Sequence, residues 1–368
     1  MGFISKLIKA ILPSKKTILI NDNMSNMIRE QPFTEDECTE NVLLNRLDTD
    51  YSIPLKELEY IKMAILIDYL HNRNAKESLS SYIQGLVGGN IVSKISSAYE
   101  NGYLRDSNLK ESLEFLTVPA LKNILREENK KLSGKKSDLV IRICTEIPSS
   151  FYESKLSPYY KLTEKGQNLV KSHYAYILNI RSNLSILQQE IYRYSKQLNC
   201  PTTESEAPKL FSFIIFEHIK RNSEIKNWGS LTFDYIRLSQ NFRDLGMDDK
   251  SLNFLLIALS IMLSGMDDGN VVRSYDRVRI YSGYVETLGT LIINLGITHY
   301  DLMRRIDEFV TPILNNLPFS YFDIEGIKII IADSLEGKWA DTISNFSQYD
   351  VLKKHPNKLS SRYHYYGE

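Results

Sequence analysis

The sequence is poor in the residues that staple, ligate or span. Its three cysteines, Cys38, Cys144 and Cys200, lie far apart. They form no CxxC pair and no Cys/His cluster of zinc-like spacing, so structural thiols in a reduced, cytoplasmic compartment are expected. The six histidines show no HxH, HxxxH or HExxH spacing, and no metal site is expected. Neither GxGxxG, GxxxxGKS nor GxSxG occurs, so no cofactor is expected and no catalytic residue can be named. No run approaches the roughly 20 apolar residues that cross a bilayer. Net charge is also missing: 45 Lys and Arg balance 45 Asp and Glu, so any nucleic-acid footprint must be a local patch. With only 11 Pro and 17 Gly in 368 residues, and 43% hydrophobic residues, the composition is globular.

What is present reads as helix. Met1–Pro13 puts Phe3, Ile4, Leu7, Ile8 and Ile11 on one helical face, which suits a docked amphipathic helix or a membrane-surface anchor. From Glu30 to Glu59 nine acids face two bases, so residues 1–53 read as an amphipathic segment followed by an acidic linker. Residues 54–115 predict compact helices at Leu55–His71, Ser78–Gly85 and Asn90–Asn101. Past Asn101-Gly102 the chain reads Tyr-Leu-Arg. This suits either the last helix and first wing strand of a winged-helix domain or an ordinary helical subdomain closed by a glycine cap.

Residues 116–147, LTVPALKNILREENKKLSGKKSDLVIRICTEI, point to more than folding. Thr117 can cap a first helix that carries Pro119 in its opening turn, with Leu121, Ile124 and Leu125 on one face. That helix should end near Asn129. Leu132-Ser133-Gly134 turns the chain, and Ser137 can cap a second helix bearing Leu139, Val140, Ile143 and Cys144, stopped by Pro148. Seven bases against four acids leave a local net charge of about plus three, clustered at the turn. Leu116, Val118, Leu121, Lys122, Leu125, Ser133, Gly134, Lys136, Leu139, Val140, Arg142 and Ile143 resemble the SAP domain, a helix-turn-helix-like unit. Many members carry Gly-Leu after the first helix, where this chain has Asn129-Lys130, leaving the turn an apolar anchor short unless Leu132 supplies it. The resemblance implies DNA binding, often of AT-rich or distorted duplex. The candidate DNA-binding residues are Lys130, Lys131, Ser133, Gly134, Lys135 and Lys136, with Arg126 and Arg142.

Residues 148–198 read as a connecting segment and a long helix: Tyr159-Tyr160-Lys161-Leu162 is expected extended, followed by a Thr163 cap. One helix is then expected to run through His173 to about Leu198, with Ile177, Ile180, Leu184, Leu187 and Ile191 aligned. The pairing of a SAP unit with Leu-Thr-Glu-Lys-Gly is similar to proteins of low-GC bacteria and their phages. Residues 199–208 read as a linker. Residues 209–352 predict helices at Phe211–Arg221, Thr232–Leu245, Lys250–Leu263, Val271–Leu295, Tyr300–Asn315, Ile324–Leu335 and Lys338–Tyr349. Tyr235, Leu238, Phe242, Gly246, Leu255 and Ala258 resemble one tetratricopeptide helix pair, so a helical repeat or bundle is expected there. The acidic run from Asp267 reads as a turn, and Glu224-Ile225-Lys226 as a chance match to a nuclease ExK spacing. The tail, residues 353–368, mixes bases with tyrosines. It suits a frayed or surface-docked terminus, or single-strand binding.

The expected fold is therefore mostly all-α. Its N-terminal part is helical, winged-helix-like or not, with the SAP-like hairpin embedded; a C-terminal helical repeat or bundle follows. The expected function is phosphate-directed DNA binding, with a protein partner on residues 209–352. The competing expectations are an interaction scaffold with a purely structural hairpin, and a nucleic-acid-processing or phage-defence enzyme with acids drawn from distant helices.

Overall fold

The computed structural model describes residues 52–267, 271–273, 275–337 and the backbone of 364–366. The expectations for residues 1–51, 268–270 and 338–363 lie outside these. The structure is mostly helical, and the chain divides between Ala207 and Pro208 into two compact units.

The first unit is built around α1 (Leu55–Leu70), whose Ile61, Ala64, Ile65, Leu66, Ile67 and Leu70 are all buried. Asn72 then adopts a left-handed conformation and reverses the chain. Ser80 caps α2 (Ser81–Val87), and Asn90 caps α3 (Ile91–Glu100) by accepting the N–H groups of Ile83 and Ser93. Gly102, at φ +69°, leads into β1 (Leu104–Asp106), which pairs antiparallel with β2 (Tyr160–Leu162). The two strands are more than fifty residues apart in sequence. Between them stand α4 (Leu109–Phe115), α5 (Val118–Glu127), α6 (Lys136–Glu146) and two 3₁₀ turns over Ser149–Lys155.

This insertion leaves and rejoins the ribbon through one clamp. Ser107 N–H donates to Tyr159 O at 2.8 Å, Tyr159 N–H donates to Ser107 Oγ at 3.0 Å, and the Phe115 ring stacks on Tyr159. It also has its own core: Leu113, Leu121, Ile124, Leu125, Leu139, Val140, Ile143, Ile147 and Tyr152 are buried together. Each such aliphatic side chain contributes about 1.5–3 kcal/mol on burial, which gives the inserted helices a fixed geometry despite their small size.

After β2, Thr163 caps α7 (Glu164–Ser172), as its sequence predicts. The single long helix expected through Leu198 is instead three: α7, α8 (Tyr174–Arg181) and α9 (Gln188–Gln197). The first break falls at His173, and the second lies in residues 182–187. Asn183 and Ser185 take positive φ, and the buried Asn179 amide brackets Ile186, accepting its N–H at 3.0 Å and donating to its carbonyl at 2.9 Å. Such a side chain–backbone pair competes with helix. Leu187, expected on the apolar face, is exposed.

The second unit centres on α12 (Asp248–Ser264), buried continuously from Ser251 to Ser264. It packs against α11 (Trp228–Asp244), α13 (Ser282–Leu295) and α14 (His299–Leu314). α10 (Ala207–Glu224) adds Phe216, which with Tyr235 and Phe242 surrounds the Phe254 ring at centroid distances of 5.4–6.1 Å. α15 (Ile324–Leu335) packs on α13 and α14. Tyr235, Leu238, Phe242, Leu255 and Ala258 are all buried where α11 and α12 meet, with Gly246 left-handed between the helices.

Helix does not run from Val271 to Leu295 as expected. Val271–Arg273 is a strand, β3, parallel to β4 (His364–Tyr366), so three residues of the tail are built into a ribbon. Gly265, at φ +85°, ends α12, and Arg273 N–H returns to Gly265 O at 2.8 Å. Asp267 pairs with Arg273 through two contacts, at 2.6 and 2.9 Å. Glu224 is the last residue of α10 and Lys226 lies in a left-handed turn, so the ExK triplet has no strand beneath it.

Candidate nucleic-acid interface

The inserted hairpin is shaped by its two helix ends. Thr117 Oγ1 accepts Ala120 N–H and Pro119 lies in the first turn of α5, both as the sequence requires. At the other end Asn129 takes φ +53°, and Lys130 N–H reaches back to Leu125 O at 2.8 Å. Asparagine here does what glycine does in many helix stops. Leu132, partly buried, packs against the hairpin core beside this stop.

The start of α6 differs from expectation. Ser137 lies inside the helix, and Lys135 is the capping position. The cap is closed by Asp138, whose Oδ2 accepts Lys135 N–H at 2.9 Å. Gly134 precedes it at φ +132°, where an added Cβ would stand 3.1 Å from Asp138 Cβ. A side chain there would press on the cap as well as strain the backbone. The Asp138 carboxylate also complements the positive end of the α6 dipole, so that helix end is not an open anion site.

The eight sequence-nominated residues separate into two groups. Lys131, Ser133, Gly134, Lys135 and Lys136 are exposed together on the turn, and among the described residues no ion pair engages the three lysines. The other three are committed elsewhere. Arg142 is half-buried, and its Nη1 donates to Lys131 O at 2.7 Å and Ser133 O at 3.0 Å, while Nε faces Glu146 at 3.8 Å. Lys130 Nζ lies 3.7 Å from Glu146, and Arg126 donates to Asn123 at 2.6 Å. Arg142 thus holds the turn from inside. Spacing could not reveal that, because the carbonyls it reaches are nine and eleven residues away.

The pairing also sharpens the local field. Glu127 is engaged by Lys155 and Glu146 by Lys130 and Arg142, so two of the hairpin's acids are neutralised away from the lysine turn. Elsewhere in this unit Lys94, on α3, pairs with Glu59 at 2.9 Å, and Arg105 forms a two-point pair with Glu111. Among the described residues no group of three or more His, Cys, Asp or Glu is placed to hold a metal ion, and no helix is long and apolar enough to cross a membrane.

No protein-family model matches this chain, and no curated protein matches it.

Proposed function

We propose that the α5–α6 hairpin binds the phosphate backbone of duplex DNA through Lys131, Lys135 and Lys136. One observation carries this reading: three exposed lysines without acidic partners sit on a turn whose shape is set internally by Arg142. A fixed turn holds the ammonium groups together before binding, so less side-chain ordering is left to oppose it. Contacts of this kind position a protein on the duplex without reading sequence. The SAP-like pattern of the hairpin supports the same assignment.

The ribbon β1–β2 follows α3 where a winged-helix domain would carry its wing, and on this reading the hairpin extends from the wing. α3 itself offers no free cation, since its single lysine is paired with Glu59. The affinity is accordingly assigned to the hairpin.

The test is fluorescence anisotropy with a labelled duplex at several salt concentrations. Each phosphate contact contributes about 0.9 to the slope of log K against log salt. Lys135→Ala combined with Lys136→Ala is expected to weaken binding and reduce that slope by roughly two. Absence of duplex binding by the unaltered protein at low salt overturns the proposal.

A further inference from the structure

The first unit contains a half-open cleft of about 420 Å³ that the hairpin does not touch. Its floor is apolar: Ile65 of α1, Ile83 of α2 and Ile177 of α8 are buried, with Ile180 beside them. Its rim is polar, made by Asp68, Tyr69, His71, Arg73 and Arg181. Asp68 is the one acid among the lining residues, and Arg181 Nη2 already grips both its oxygens, at 2.6 and 2.8 Å. The Arg73 guanidinium carbon stands 4.0 Å from the centre of the Tyr69 ring, and Nε–H donates to Tyr69 O at 2.9 Å. These two contacts tether the guanidinium and leave its two Nη groups without a protein acceptor among the described residues.

His71 completes the rim. Burial, then the nearby Lys161 charge, push its pKa below the ordinary value, so the ring is neutral at neutral pH. Its Nδ1 accepts Leu162 N–H at 3.4 Å, which places the ring proton on Nε2 as a further donor. The cleft therefore has donors to offer and, once Asp68 is paired, no carboxylate to give.

We infer that this cleft binds a small organic anion, a carboxylate, sulfonate or phosphate ester with an apolar body, its charge held by Arg73 and its body resting on the isoleucine floor. The volume lies within the range of small-molecule sites, and a mostly apolar lining with a few convergent polar groups is their usual construction. Arginine suits the charged end because its planar fork meets two anionic oxygens at once.

Anilinonaphthalene sulfonate is the probe, titrated into the full-length protein by fluorescence. One saturable site is expected, displaced by octanoate and not by octylammonium. Arg73→Gln should weaken binding about tenfold, the worth of one charge-assisted hydrogen bond. Asp68→Asn, which releases Arg181, should tighten it severalfold. Circular dichroism of each variant separates loss of the site from loss of fold. Displacement by octylammonium as readily as by octanoate overturns the inference. So does undiminished binding in Arg73→Gln, or weaker binding by a folded Asp68→Asn protein.

Discussion

Replacing Arg142 by alanine separates the two roles open to that residue. Its Nη1 serves two carbonyls of the turn, at 2.7 and 3.0 Å. A hydrogen bond from a charged donor contributes about 1.5–3 kcal/mol when its partner would otherwise be stranded. Here one nitrogen is shared between two acceptors, and both belong to exposed residues that water can reach in part. The net loss is therefore about 2 kcal/mol, or roughly a thirtyfold increase in local opening. Native-state hydrogen exchange reads this directly at the Lys130 and Lys135 amides, which are bonded to Leu125 O and Asp138 Oδ2. Duplex affinity should fall because the lysines lose their fixed arrangement. The salt slope should remain that of the unaltered protein, because no phosphate contact is lost. Arg142→Lys keeps the charge but not the reach, and should show the same faster exchange. A slope lowered by about 0.9 in Arg142→Ala, with exchange at the two amides unchanged, would overturn this role for Arg142. Arg142 would then be a phosphate ligand, and the turn would hold itself.

Gly134→Ala should cost about 1–3 kcal/mol by thermal unfolding, since φ +132° disfavours any side chain and the new methyl would press on Asp138. Gly166→Ala should be worse, about 3 kcal/mol, because its Cβ would stand 2.2 Å from the backbone oxygen of Tyr103; calorimetry of the first unit's transition reads this. The Arg105 guanidinium holds the Glu111 carboxyl at about 2, below an ordinary value of 4.5. The pair's stabilisation is therefore fully present above pH 4.5 and is lost as pH falls toward 2. Solvent screening limits it to about 1 kcal/mol. Urea melts from pH 7 to 2.5 should show Glu111→Gln less stable at neutral pH and converging with the unaltered protein in acid.

Much of the local structure was legible because it is decided by residues close in sequence. Thr117 and Thr163 cap helices where a hydroxyl two or three residues ahead of free N–H groups requires it. The buried faces of α5 and α6 follow the 3.6-residue apolar period. Asn129-Lys130 was visible as a stop to the first helix; Asn129 ends it in a left-handed conformation and Leu132 packs on the core beside it.

Other features depended on partners distant in sequence, and periodicity carries no record of these. The break between α8 and α9 is imposed by the Asn179 amide on Ile186, against an apolar spacing that favours one continuous helix. Val271–Arg273 becomes a strand because Gly265 and residues 364–366 supply backbone partners to it. Within the lysine turn, the residue types and their charge were evident in the sequence alone. Which cations are free was decided only by folding, when Glu146 came within reach of Lys130 and Arg142 and left Lys131, Lys135 and Lys136 facing solvent. A charge is written in one residue, but its pairing is a property of two residues brought together by the packed core.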